Sequence, residues 1–340
     1  MISACRLLLI VLSFLLLAFP CTAAAAPTLR VSLPPSFGSL PFAFARDWGL
    51  YESHGVDVEL IGLGDSQARN LAMITGTIDA MVCDVTTAIL LATSGTDIVI
   101  TSTAYRPSQT GSLSLLSPSY FKIESIGDLL QRTAAGNQFR SIGIIEMSDI
   151  EYQIDTLFAS LGYPIDPDRD LWGLFDMLQL ATFLSLGSVY AAVLPEPYIT
   201  YISNYPPIVP NSKFVHLSDF EGIELLPSVI VFRREILDRY DGSVGRLYVA
   251  HAEAIDRINA MTREELIDQG IDVALSLFFQ GVSRETIPEG ILDSFVMPHF
   301  DPPGMLSEAL FEDVVAWTNA KRYTWKHPVY EEMTTARFLP

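Results

Sequence analysis

The sequence predicts an α/β protein of two lobes, and three observations carry that expectation. Strand-like and helix-like segments alternate through the first half of the chain, the sign of sheets with helices on both faces. The alternation breaks off after Tyr105 and restarts near Arg140. A short sentence also recurs: "GTIDAMVCD" runs from Gly76 to Asp84, and "GSVYAAVLPEP" runs from Gly187 to Pro197. The length, 340 residues, is about twice that of a usual domain.

The elements follow in order. LRVSL (Leu29–Leu33) is a short strand, and LPFAFARDWGLYESHG has apolar residues at helical spacing up to Gly55. VDVELIG is an alternating strand. Ser66 is placed to cap SQARNLAMITG, a helix stopped by Gly76. IDAMVC is a buried strand, TTAILLATSG a helix and DIVITSTAY a strand, so a mostly parallel sheet is expected. SLSLLS and IGDLLQRT precede the restart. Then come RSIGIIE, SDIEYQIDTLFASLG, DLWGLF, DMLQLATFLSLG, YAAVL and EPYITYISNY, alternating strand and helix. PSVIVFRREIL gives one more strand, and long helical patterns follow from Gly242 to Lys321, interrupted by GVSRETIPEG and MPHFDPPG.

Composition sets the outer limits. The chain is 49% hydrophobic and 18% charged, enough for real cores and unlike a disordered chain. A net charge of −19 with no basic run argues against nucleic acid or an anionic membrane surface as partner. At the start, MISACR, the apolar run LLLIVLSFLLLAFP and the small-residue CTAAAAP have the layout of a secretory signal peptide, residues 1–25. A lipid anchor on Cys21 is the alternative, disfavoured by Phe19-Pro20 before it. Cys83 alone remains after cleavage, so no intrachain disulfide is expected.

The repeated sentence has a structural meaning. Each copy ends a helix at Gly, opens a strand with a β-branched residue, buries it with Ala and Val, and leaves by a polar loop. Ligands of open α/β sheets sit beyond such strand ends. Two lobes offering equivalent ends predict a cleft between them.

The stretch from Leu40 to Leu90 resembles the first lobe of periplasmic solute-binding proteins of ABC importers. The similar branch is the nitrate/sulfonate/taurine and thiamine-pyrimidine-precursor group. Ala45, Gly49, Leu50, Tyr51, Glu52 and Gly55 fit one part of its pattern; Ile74, Gly76, Ile78, Asp79 and Ala80 fit a second. Gly187, Val189, Ala191, Glu196 and Pro197 fit the second-lobe counterpart, with Tyr190 standing where the family usually has Asp. The resemblance spans essentially the whole mature chain. It implies a type II periplasmic binding protein fold, two α/β lobes joined by two crossovers near Ser102–Arg106 and Leu217–Gly222. Lobe I would combine residues 27–104 and 221–340, and lobe II residues 105–220. It further implies a monomeric periplasmic protein that closes on a small-molecule ligand and meets an importer's permease and ATPase.

Strand ends nominate the pocket. PPSFGSLPF offers Phe37 and Phe42 for stacking, and Gly38 and Ser39 at a helix start. GLGDSQ offers Asp65 and Ser66; it lacks the third glycine of a dinucleotide fingerprint and the last one of a nucleophile elbow. CDVTT offers Asp84 and Thr86, each equally suited to capping. Tyr105 lies near the first crossover. Lobe II offers Glu146, Ser148, Phe175, Asp176, Glu196 and Tyr198. Asp79, before its strand, reads as structural.

These loops bring five carboxylates, Asp65, Asp84, Glu146, Asp176 and Glu196, with Asp149 a possible sixth, and no basic residue before Arg106. Buried carboxylates oppose a bare anion. The expected ligand is therefore a neutral or cationic heteroaromatic compound, pyrimidine- or thiamine-like. The alternatives are an anion-binding protein for sulfonate or nitrate, a pyrimidine-precursor enzyme, and a ligand sensor that docks on a receptor. His54, His216, His251, His299 and His327 are scattered, so neither catalysis, a metal nor a cofactor is expected.

Overall fold

The computed structural model describes residues 27–63, 65–107, 112–134, 141–169, 171–204, 213–279, 284–286 and 296–339. The signal peptide expected over 1–25 and the alternative at Cys21 lie outside them.

Two five-stranded sheets organise the chain. Thr28–Ser32 (β1), Asp57–Ile61 (β2), Ala80–Cys83 (β3), Ile98–Tyr105 (β4) and Ser228–Arg233 (β10) form the first, in the order β2-β1-β3-β10-β4. Leu113–Pro118 (β5), Ile142–Ile145 (β6), Leu171–Leu174 (β7), Ala191–Pro195 (β8) and Phe214–Ser218 (β9) form the second, in the order β7-β6-β8-β5-β9. The chain passes between sheets after β4 and returns before β10.

The sheets are more mixed than expected. β1 pairs in parallel with β2 and β3, but β10 lies antiparallel to both β3 and β4. Likewise β5 is antiparallel to β8 and β9. The reason is the crossing itself. A strand arriving from the other lobe enters at the end where its neighbours finish, so it must run against them. β9, a half-buried edge strand with weak alternation, is absent from the sequence reading.

The helices fall close to their expected places, with three corrections. Gly49, at φ 66°, divides the first into Leu40–Asp47 (α1) and Leu50–Ser53 (α2), a backbone turn that favours glycine. Asp65, not Ser66, caps Ser66–Thr75 (α3), its carboxylate accepting from the Ala68 N–H at 2.7 Å. After β10 the helical pattern is cut into Arg234–Arg239 (α9), Asp241–Ala260 (α10), Ile271–Phe278 (α11), Glu308–Ala320 (α12) and Tyr330–Met333 (α13). Between these lie Val85–Ser94 (α4), Ile126–Ala134 (α5), Asp149–Ser160 (α6), Met177–Ser185 (α7) and Tyr198–Asn204 (α8).

Each lobe has its own core, built on Leu29, Val31, Val82 and Ile230 in one and Leu115, Ile144, Phe158 and Val193 in the other. A further apolar cluster joins them. Phe37, Leu40 and Phe44 pack there with Leu180, Tyr198 and Phe278.

The two copies of the repeated sentence are equivalent in backbone but not in side chain. The Asp79 N–H donates to the Arg30 carbonyl, and the Tyr190 N–H donates to the Ser141 carbonyl. Asp79 is buried and accepts from the Arg30 N–H, Nε and Nη2 at 2.9, 3.0 and 2.7 Å. Lobe II has Ser141 where lobe I has Arg30. With no guanidinium to pair, a buried carboxylate there would be costly. Tyr190 instead packs edge-on against Phe121 at 5.1 Å between centroids. Asp79 is thus scaffold. Asp79→Ala is expected to cost about 1–3 kcal/mol by stranding these donors, read as a lowered urea midpoint.

Candidate ligand cleft

A cleft of about 490 Å³ lies between the sheets, within the range of small-molecule sites. Its walls come from the carboxyl ends of β3, β6, β7 and β8, and its floor from the crossing segments at Pro107, Ser112, Leu225 and Leu226. Phe37, Ile74, Leu91, Met147 and Met177 make much of the lining apolar.

Of the expected site residues, Phe37, Ser66, Asp84, Tyr105, Glu146, Ser148, Phe175, Asp176 and Glu196 line this space. Gly38, Ser39, Asp65, Thr86 and Tyr198 stand behind the wall. Gly38 is pressed against Ser228, and the buried Ser39 hydroxyl donates to the Pro34 carbonyl at 2.7 Å. Asp65 and Thr86 are engaged at helix starts. The Tyr198 hydroxyl donates to the Phe278 carbonyl, and its ring is almost wholly buried. Phe42 is fully buried in the lobe I core.

Among the lining residues not nominated from sequence are Gln67, Arg69, Gln153 and Ser228. Arg69 corrects the charge count directly. It sits one turn into α3, a position that helical spacing from Ser66 would have exposed. Burial pulls its guanidinium down, opposed by Asp84, Asp65 and Asp176 nearby. Its Nη1 donates to the Leu63 carbonyl at 3.1 Å. Gln153 Oε1 and Ser228 Oγ are buried without a hydrogen-bond partner, while Gln153 Nε2 donates to the Glu224 carbonyl at 3.3 Å.

Most carboxylates are already engaged by helix starts. Asp176 accepts from the Gln179 N–H at 2.6 Å, and Glu196 from the Thr200 N–H and hydroxyl, each at 3.1 Å. Burial still pushes the Glu196 carboxyl up. Asp84 accepts from the Thr87 N–H at 2.6 Å, capping α4.

Asp149 crosses between lobes. From the first turn of α6 it accepts from the Val85 and Thr86 N–H groups at 3.1 and 2.9 Å and from the Thr86 hydroxyl at 2.7 Å. Its own N–H donates back to Asp84. Burial, and then the neighbouring Asp84, push the Asp149 carboxyl up; burial does the same to Asp84. Both effects reflect the cost of two negative charges at one enclosed place.

Farther along α6 the lobes share a buried ionic network. Lys321, just past α12, places its Nζ 2.8 Å from Glu151 Oε1 and 3.1 Å from Asp155 Oδ2. The Tyr323 hydroxyl donates to Glu151 at 2.6 Å, and Trp317 Nε1 donates to Asp155 at 3.0 Å. Burial pulls the Lys321 ammonium down, but Glu151 and Asp155 outweigh it and the net shift is upward.

Among the described residues no group of three or more His, Cys, Asp or Glu is placed to hold a metal. No described helix is long and apolar enough to cross a membrane.

No family model matches the sequence, and no curated protein matches it. The fold does match solved structures. The alkanesulfonate-binding protein of Xanthomonas axonopodis pv. citri, bound to MOPS, superposes with a TM-score of 0.68 at 15% identity, covering 92% of this chain and 99% of that one. The periplasmic nitrate-binding protein of Synechocystis PCC 6803 gives 0.69 at 14% identity, covering 92% and 87%. The periplasmic aliphatic sulphonate-binding protein of Escherichia coli gives 0.66 at 15% identity, covering 91% and 97%. The chain has the two-lobed α/β fold of periplasmic binding proteins.

Proposed function

We propose that the protein is an extracytoplasmic solute-binding protein that closes on a small organic molecule and hands it to an ABC importer. One observation carries this: a cleft of about 490 Å³ opens where the strand ends of two lobes meet, floored by the two segments that join them. The relatives in fold are binding proteins, which favours capture over turnover. The N-terminal leader supports a periplasmic address, and the chain acts as a monomer in this reading.

The lining contains Asp84, Glu146, Asp149, Asp176 and Glu196 against Arg69. That balance favours a ligand that is neutral, cationic, or anionic at one end only. Phe37, Tyr105 and Phe175 offer ring faces or edges to its body, so a heteroaromatic compound remains the reading preferred on charge. The second reading is a sulfonate or nitrate anion. Arg69 favours it, as do the sulfonate- and nitrate-binding relatives in fold.

Mass spectrometry of solute carried through native purification tests the function. A thermal-shift panel then separates the readings. A true ligand at ~100 times its Kd is expected to add about 2.7 kcal/mol to stability. Heteroaromatic amines are expected to raise Tm; a shift from sulfonates or nitrate alone would replace the first reading with the second. Absence of any retained solute and any shift would count against solute binding itself.

A further inference from the structure

The start of α4 is an anion seat that the protein fills with its own side chain. Helix N-termini present unpaired N–H groups and a positive dipole end, and an oxyanion is their usual guest. In this chain the Val85 and Thr86 N–H groups and the Thr86 hydroxyl all point at Asp149, which reaches over from the opposite lobe. Three donors converge on one carboxyl group, as they would on a sulfonate or nitrate.

The surroundings make the seat unavailable to a second anion. Asp84 lies at the same helix start and takes the Asp149 N–H and the Thr87 N–H. One turn along α6, Gln153 also lines the cleft, 3% exposed, and its Oε1 is buried without a partner. A negative group entering between α4 and α6 would meet the Asp84, Asp149 and Gln153 oxygens. Coulomb repulsion in such an enclosed place is several-fold stronger than in water.

We propose that Asp149 determines the specificity of the cleft: its carboxyl group occupies the oxyanion seat at the start of α4, excludes anionic ligand groups from the wall between α4 and α6, and leaves that wall to hydrogen-bond donors. The proposal rests on the reading of this cleft as a solute site and deepens it. A ligand presents N–H or other donor groups to the α6 side, where Gln153 Oε1 waits. Any anionic end it carries goes to Arg69. Closure of the lobes at this point is completed by a bond of the protein itself.

Emptying the seat tests this. Asp149→Ala and Asp149→Ser both uncover the three donors, and circular dichroism with a cooperative melt establishes which variants fold. Methanesulfonate and nitrate are titrated by calorimetry into wild type and variants at ionic strength matched with gluconate. The expected result is a gain of at least tenfold in affinity for one of the two anions in a folded variant. Equal affinity in wild type and variant overturns the proposal, and so does a folded variant that gains nothing. A second measurement needs only wild type. Crystals soaked in bromide are expected to show no anomalous peak at the Val85 and Thr86 amides; a peak there overturns the proposal even if neither variant folds. Failure of the solute-binding reading would look different. Wild type would then carry no solute and respond to no panel member, whatever the variants gained.

Discussion

Replacing Lys321 with alanine is expected to cost about 3–5 kcal/mol of folding stability, among the largest single-residue effects in the molecule. The charge of Lys321 is buried with those of Glu151 and Asp155 between α12 and α6, and the three side chains are at most 3% exposed. Removing the ammonium leaves the two carboxylates facing each other with only the distant Arg169 guanidinium, 3.8 Å from Asp155, as counter-charge among the described residues. Among the described residues, Tyr323, Trp317 and the Met147 N–H, which donates to Glu151 Oε2 at 2.9 Å, then remain as hydrogen-bond donors. Arg169 does not replace the lysine, because its Nε stands 3.8 Å from Asp155 Oδ1, beyond hydrogen-bond reach. The desolvation already spent on the anions is no longer returned. Urea unfolding checks the size. A triple variant, Lys321→Met with Glu151→Gln and Asp155→Asn, is expected to recover more than half of the loss, because it removes the orphaned charges rather than the contacts. A loss under about 1 kcal/mol in the alanine variant would place the network in the weak class of solvated ion pairs.

This network also marks what a sequence can disclose. Strand and helix periodicity located nearly every element, because period 2 and period 3.6 are local signals. The repeated sentence disclosed that two strand ends are equivalent, and the structure sets both beside one cleft. What escaped was partnership across long separations. Lys321 and Glu151 are far apart in the chain, and nothing local to either reports the other. The direction of β10 followed from the route of the chain and not from its own residues, which read equally well either way. Arg69 is different. Its position one turn beyond Ser66 is readable, because a residue in the first turn of a helix that starts at a strand end faces the same cleft as the loop before it. Thr86 and Asp149 show the limit most clearly. Sequence nominates Thr86 for ligand contact or capping and Asp149 as a possible further pocket carboxylate, and only the approach of the two lobes makes them a pair.

Acid is expected to weaken the fold through His251, and replacing this residue should both remove that sensitivity and add stability. His251 lies on the apolar stripe of α10 with Leu247, Tyr248, Ala254 and Ile255. Its ring is fully buried, 4.3 Å from that of Phe42 between centroids, and neither nitrogen has a hydrogen-bond partner. Burial pushes its pKa down to about 3 from an ordinary 6.5. The sign follows directly. The unfolded chain takes up the proton below about pH 6.5, while the folded protein resists until about pH 3. Stability is therefore full above the unfolded value and is lost as pH falls through that window, by at most about 1.4 kcal/mol per unit. Asp84 and Asp149 act in the opposite sense. Their folded values are raised, so acidification through that range favours the native state. The raw pH profile mixes these contributions, whereas the difference between wild type and a His251 variant isolates one. His251→Leu and His251→Phe replace two unpaired polar atoms by apolar ones. Either is expected to gain about 1–3 kcal/mol at neutral pH, less about 1 kcal/mol or more where the larger phenyl ring overfills the site. Urea midpoints at pH 7 and pH 4.5 settle it: wild type should lose more between the two than the leucine variant does. Parallel profiles would mean that the imidazole protonates as easily in the folded core as in water.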